Sequence, residues 1–405
     1  MGGAGNNSSG GTASEGGSGG GSSTAGKTST GGMSAGNSST GGKPMTGEGG
    51  VVANGGNSGG RPPAQGTPGT WEDVTSAVMD PGMFEGDSFG AGNIVTDPAR
   101  PTDMYVGGYG AIYKSTDYGL TWKKLESEPE PPELPLGHVL AVAGTTPATL
   151  WMANVDGEDH VYRSKDGGKT FQLTGQIPER PGAGSLYSIV VDPNNANHLL
   201  TGLHEEDGLL ESKDAGDTWH FVTGNGFPGD GVSWFPFFVD TGDAATTSKT
   251  WFAIAQDGGS AIMTSDAGAT WVKPKGIEGL THPHGGSQLF QQGKTLFIGG
   301  YYEGGGGVYR STDLGKNWTQ VSEAQAAVVW GSSKNVYAMW GWACGGCSDG
   351  AGLQTAPQPG DKWTEGTVPA KLNWGPNSVA ITSDGTHAIY VGSMWATGLW
   401  RYVEP

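Results

Sequence analysis

Ser115-Thr116-Asp117-Tyr118-Gly119-Leu120-Thr121-Trp122 is the first copy of an eight-residue unit, Ser/Thr-x-Asp-x-Gly-x-x-aromatic, and this unit decides how the rest of the chain is read. It returns as Ser164-x-Asp166-x-Gly168-x-x-Phe171, Ser212-x-Asp214-x-Gly216-x-x-Trp219, Thr264-x-Asp266-x-Gly268-x-x-Trp271 and Ser311-x-Asp313-x-Gly315-x-x-Trp318. A fixed period of about 50 residues indicates a propeller or a solenoid. Each position has a physical use. The carboxylate accepts backbone N–H groups of its own turn, the glycine takes the positive φ that closes a hairpin, and the aromatic opens the next strand and buries a large apolar surface. Short runs rich in β-branched and aromatic residues precede each box, such as Ala111-Ile112-Tyr113-Lys114 and Thr295-Leu296-Phe297-Ile298. The repeating element is therefore an antiparallel sheet.

Working outward, the period predicts a sixth aromatic at Trp363, in Gly360-Asp361-Lys362-Trp363, whose box has lost its aspartate within Thr355-Ala356-Pro357-Gln358-Pro359. Backward it predicts Trp71, in Gly69-Thr70-Trp71-Glu72-Asp73-Val74, an outer strand with no box before it. Ala388-Ile389-Tyr390-Val391 and Gly398-Leu399-Trp400-Arg401-Tyr402 are two strands with no box after them. The fragments complement one another. The expectation is an all-β fold, a seven-bladed β-propeller of four-stranded antiparallel blades over residues 70–405, the last blade closed by the N-terminal strand so that neither sheet edge stays open.

Residues 1–69 hold no aromatic, Leu, Ile or Cys and are dominated by Gly, Ser, Thr, Asn and Ala. They cannot bury enough apolar surface to offset chain entropy and read as a disordered tether. The tether resembles the stretch behind the acylated cysteine of bacterial surface lipoproteins, although that cysteine is absent. An extracellular or cell-surface place, in the bacterial periplasm or on the outer surface, is expected, with a lipid anchor as one form of it. No run of eighteen apolar residues exists, so no membrane-spanning helix is expected. The balance of 22 basic against 40 acidic residues, net −18, disfavours nucleic acid and anionic lipid as partners. A monomer is expected.

The boxes resemble those of the Asp-box, or BNR, repeat proteins, which include sialidases, xyloglucan-active glycoside hydrolases, sortilin-type receptors and a photosystem assembly factor. That resemblance implies a propeller and leaves function open, since one fold hosts many chemistries. Asp117, Asp166, Asp214, Asp266 and Asp313 are expected to be structural. In such a blade the box joins the third strand to the fourth, so a site is expected on the opposite face, at loops joining strands two and three and at the links between blades. Those segments carry Tyr109, His138, Tyr187, His204, Trp234, His284, Tyr301, Trp340, Trp342, Trp374 and Trp395 as candidate substrate-binding residues. Aromatic platforms rimmed by carboxylates and amides suit sugar rings, so a polysaccharide or glycan is the expected partner.

A sialidase needs three convergent arginines on its substrate carboxylate. The chain has only Arg61, Arg100, Arg163, Arg180, Arg310 and Arg401, three of them just before box positions or their equivalent, so that activity is disfavoured. The xyloglucan-active enzymes pair two propellers and take one catalytic Asp from each, the paired-carboxylate logic of glycoside hydrolysis. The stretch Glu85-Gly86-Asp87-Ser88-Phe89-Gly90 resembles the entry to their first blade, which makes Asp87 the counterpart of the base. With one ring present, Glu205, Asp257 and Glu303 are the candidate acids. A polysaccharide lyase using a His or Tyr, and a non-catalytic glycan- or protein-binding scaffold, are the alternatives. His282-Pro283-His284, with His138 or His204, is a weaker metal-ligating alternative; no cofactor is expected. Cys344 and Cys347 read as a small disulfide ring in a glycine-rich loop.

Overall fold

β-branched and aromatic residues gather in short runs separated by Gly, Asp, Asn and Pro, and these runs become strands. A computed structural model describes residues 66–79, 94–108, 111–127, 139–153, 161–175, 186–203, 208–228, 232–257, 261–280, 289–300, 306–340, 352–372, 376–381, 387–392 and 398–405. Their strands form seven antiparallel sheets, six of them four-stranded, and all the connections but one follow chain order. The blades begin at Ile94–Thr96, Val139–Ala143, Leu186–Asp192, Val232–Phe238, Leu289–Gln292, Val328–Gly331 and Pro376–Ile381, and are numbered 1 to 7 in that order. Blade 4 has three strands; its outer edge is reduced to one bridge, in which Met263 and Val272 exchange two backbone hydrogen bonds of 2.9 Å.

The exception to chain order is the closure. Trp71–Asp73 pairs with Leu399–Val403 as the outer strand of blade 7, with Trp71 opposite Tyr402 and Asp73 opposite Trp400. The Val74 N–H continues the ladder to the Leu399 carbonyl at 2.9 Å. The seven-bladed, ring-closed propeller expected from the repeat is thus the observed fold.

The core is distributed between blades. Each seam has its own apolar cluster, and the box aromatic packs against the preceding blade: Trp219 with Trp151 and Ala141 between blades 2 and 3, Trp271 with Trp251 and Leu200 between blades 3 and 4, Trp318 with Phe252 and Phe237 between blades 4 and 5. This explains the invariant aromatic place in the repeat, because a blade has two apolar faces and neither is covered without a neighbour.

The boxes behave as structural turns. In blade 1 the Asp117 carboxylate accepts the Ser115 hydroxyl at 2.8 Å, the Thr121 N–H at 2.9 Å and the Thr121 hydroxyl at 2.6 Å, while Ser115 Oγ accepts the Gly119 N–H. The same pattern recurs around Asp166, Asp214, Asp266 and Asp313, with Asn317 replacing the threonine in the last. Two consecutive residues take positive φ, the glycine and the one before it; at Tyr118, Ala215, Ala267 and Leu314 that second position is not glycine. The N–H of this residue reaches the hairpin formed by the first two strands of its own blade, as in Tyr118 to the Thr102 carbonyl at 3.0 Å and Ala215 to the Asn197 carbonyl at 2.8 Å. In the degenerate box of blade 6 the Gln358 N–H makes the corresponding bond to Lys334, and the Trp363 indole still donates to the Gly360 carbonyl.

Burial opposes ionisation of Asp166, but the Thr170 N–H and hydroxyl, Ser164 and the Lys169 N–H outweigh it and hold its pKa at about 2. A depressed folded-state pKa means that the stabilisation is complete above the unfolded value near 3.9 and is lost as pH falls through about 2. Asp166→Asn should therefore flatten the acid-unfolding profile between those values. Asp166→Ala should cost about 1 kcal/mol, the scale of a lost turn cap. Neither should alter ligand binding on the opposite face. Denaturant midpoints measured at several pH values check this.

Candidate functional site

The hydrogen bonds between box turns and first-to-second-strand turns place both sets of turns on one face of the ring. The other face therefore receives the last residues of the second strands, among them Gly108, Ala153, Leu203, Asp257, Gly300 and Trp340, and the first residues of the inner strands. This is the face on which a ligand site is expected from the repeat.

Most of the sequence candidates belong to segments outside the described residues: Asp87, Tyr109, His138, His204, Glu205, His282, His284, Tyr301, Glu303, Trp342, Cys344, Cys347, Trp374 and Trp395. Tyr187 is the second residue of the inner strand of blade 3, and Asp257 ends the second strand of blade 4, opposite Val232. Asp257 thereby stands at the mouth end of its blade.

Trp340 ends the second strand of blade 6 at the mouth and is half-buried. Its cross-strand partner is Gly352. A Cβ on Gly352 would stand 1.8 Å from indole Cζ2, so the ring lies directly across the glycine. The missing side chain opposite is what lets an indole lie along the strand at the rim instead of being pushed off it.

Trp234 is a correction. The structure buries it to 1% exposure in the seam between blades 3 and 4, beside Phe227 at a centroid distance of 5.7 Å. No ring face is left for a sugar, and its role is packing. The sequence places Trp234 near the mouth, but only the pairing with Ala255 fixes which side of the strand it occupies.

A cavity of about 370 Å³ runs among the inner strands of all seven blades, with Val95, Val142, Val190, Phe237, Phe290 and Trp330 in its lining. Among the described residues of that lining Asp192 is the one that ionises, and its carboxylate is engaged by the Asn194 N–H, Ser248 and His198. Among the described residues of the lining there is thus no pair of carboxyl groups.

The four described arginines make structural contacts. Arg163 donates to the Ala215 carbonyl at 2.8 Å and pairs with Asp217 at 2.9 Å, fastening blade 2 to the next box. Arg310 does the same with the Pro359 carbonyl and Asp361. Arg401 pairs with Glu72 across the closing strands, and Arg100 with Asp97 beside the turn of blade 1. Among the described residues no three arginines converge, and no group of three His, Cys, Asp or Glu is placed to hold a metal.

No family model matches the chain. It is 28% identical over 272 residues to a xyloglucanase of a Paenibacillus species, covering 60% of this chain and 24% of the relative. It is 30% identical over 181 residues to a xyloglucanase of Hypocrea jecorina, covering 39% and 21%. The chain thus spans less than a quarter of the length of these relatives. Among solved structures it resembles the GH74 xyloglucanase of Xanthomonas campestris, with a TM-score of 0.58 and 18% identity over 82% of this chain and 53% of that one. It also resembles YCF48 of Cyanidioschyzon merolae, with a TM-score of 0.53 and 14% identity over 83% and 98%. The chain is therefore a β-propeller of the kind found in glycoside hydrolases.

Proposed function

We propose that the ring engages a neutral polysaccharide of the xyloglucan type on the face opposite the boxes, and that it acts there as a glycoside hydrolase. The observation that carries this reading is the similarity to xyloglucanases along 272 residues of the chain, joined by the half-buried indole of Trp340 at the mouth. An indole offers the flat apolar surface against which the C–H face of a pyranose packs. The net charge of −18 disfavours a polyuronate and leaves a neutral chain unopposed.

Hydrolysis of a glycosidic bond requires two carboxyl groups, about 5–9.5 Å apart according to stereochemical course. In this proposal Asp87 serves as base, with Glu205, Asp257 or Glu303 as acid; Asp257 ends the second strand of blade 4. Tyr109, His138, Tyr187, His204, His284, Tyr301, Trp342, Trp374 and Trp395 would complete the binding surface. An exported, monomeric protein fits that substrate, the Gly/Ser-rich segment 1–69 serving as its tether.

The test is binding to xyloglucan by titration calorimetry, followed by measurement of released reducing ends. Binding is expected to xyloglucan and not to polygalacturonate. Asp87→Asn should retain binding and lose product release. Binding without any release from the native protein would favour the scaffold reading, while ultraviolet-absorbing unsaturated products would identify a lyase. Failure to bind any neutral polysaccharide would remove the proposal.

A further inference from the structure

His198, on the second strand of blade 3, is 5% exposed and has a carboxylate oxygen at each ring nitrogen. Nδ1 lies 3.1 Å from Asp192 Oδ2 and Nε2 lies 2.8 Å from Glu211 Oε1. A neutral imidazole has one donor and one acceptor; only the imidazolium donates at both nitrogens. The geometry therefore calls for a charged ring between two carboxylates. The cluster also touches blade 4: the Ser248 hydroxyl donates to the same Asp192 Oδ2, and the edges of Phe238 and Trp251 meet the ring at centroid distances of 4.9 and 5.8 Å.

We propose that Asp192, His198 and Glu211 form a proton-operated latch on the seam between blades 3 and 4, closed while the imidazole carries its second proton and loosened when that proton leaves. The charges that face the ring are Asp192 from the first strand and Glu211 from the third, with Lys213 behind Glu211 at 2.9 Å. Among the described residues, blade 4 contributes Ser248, Phe238 and Trp251, all uncharged. The Asp192 side chain is 0% exposed. Once the imidazole is neutral, this carboxylate loses its balancing cation and one nitrogen lone pair faces a carboxylate. A buried charge without its partner is strongly destabilising, and Asp192 is the group that holds Ser248 of the neighbouring blade.

Burial lowers the affinity of His198 for its proton, but Asp192 and Glu211 outweigh that and raise its pKa above the ordinary 6.5. A raised folded-state value gives stabilisation that is complete below the unfolded pKa and is lost as pH rises through the folded one. Burial likewise works against ionised Glu211, yet His198 and Lys213 bring its pKa below the ordinary range. Its share is present above the unfolded value near 4.3 and is lost as pH falls through the lowered one. The latch is tightest between these limits, at about pH 5–6. This device is independent of what binds at the mouth.

Two measurements on the whole protein test it. Imidazole nitrogen shifts from histidine-labelled protein should show both His198 nitrogens protonated at pH 6.5, with the midpoint above that value. Amide exchange in 196–203 and 248–255, corrected for the intrinsic effect of pH, should rise by up to about tenfold per pH unit between 6.5 and the midpoint and level off above it, the linkage for one proton. The seam between blades 4 and 5 should not follow. Glu211→Gln should reduce the excess pH dependence and lower the His198 midpoint while His198 remains buried; if that variant fails to fold, the native protein's titration and exchange still decide. A His198 midpoint at or below 6.5, equal pH response at both seams, or an unchanged profile in Glu211→Gln would each overturn the latch.

Discussion

Gly202→Ala is expected to lower the stability of the propeller by about 3 kcal/mol, the upper range for overpacking a close-fitted interior. Gly202 lies near the mouth end of the second strand of blade 3, paired with Ser188 on one side and Leu209 on the other. A Cβ there would stand 1.6 Å from the Trp234 carbonyl oxygen and 2.7 Å from its carbon, both on the inner strand of blade 4. The obstacle is backbone, so no rotamer change relieves it, and ladders on both sides prevent the strand from withdrawing. The seam itself must open, which uncovers Trp234 and Leu200. Gly242→Ala is the matched control. Its φ is +82° and nothing lies within 4 Å of an added Cβ, so the cost should be about 1 kcal/mol of backbone strain. Guanidinium unfolding of the two variants checks the difference; equal losses would mean that seam contact does not limit stability at Gly202.

Trp340→Ala is expected to weaken polysaccharide binding by about ten- to hundredfold, corresponding to the loss of one stacked aromatic platform. Stability should change far less, because the indole is half-buried at the rim, unlike Trp151 or Trp251, each 0% exposed within a seam. Gly352→Ala leaves the tryptophan in place but puts a methyl 1.8 Å from its ring, so the indole must swing away. Both variants should lose affinity together on xyloglucan, by calorimetry or affinity electrophoresis. Full affinity in Gly352→Ala with loss in Trp340→Ala would mean that the ring's orientation across the glycine is immaterial. Full affinity in both would move the binding surface elsewhere on the mouth.

Blade number, ring closure and the structural nature of the box aspartates were legible because each depends on local chemistry repeated at a fixed interval. A Ser-x-Asp-x-Gly turn satisfies its own hydrogen bonds within eight residues, so five copies announce five turns before any packing is known. The glycine of that turn was readable as a positive-φ position. The residue before it, Tyr118 or Leu314, was not, since nothing in a tyrosine or leucine signals the left-handed region that the neighbouring turn imposes on it. Gln358 could be read as the site of a lost aspartate, but not as the residue whose N–H takes over the tie to Lys334.

The candidate site was legible only as a face. Trp340 and Trp234 read alike along the chain, yet one reaches the rim across a glycine and the other is sealed between blades. His198 carries no motif at all: its carboxylates come from six residues before it and thirteen after it, and Ser248, which donates to one of them, belongs to another blade. By itself the sequence determined a ring of sheets joined by its two ends, because periodic patterning and turn chemistry act over a few residues. Which side of a strand meets a neighbour, which ring stays open to a ligand and where a buried charge finds its counterion were decided by the tertiary structure. Those outcomes depend on cross-strand register and on the approach of backbones far apart in the chain, and no local pattern encodes either.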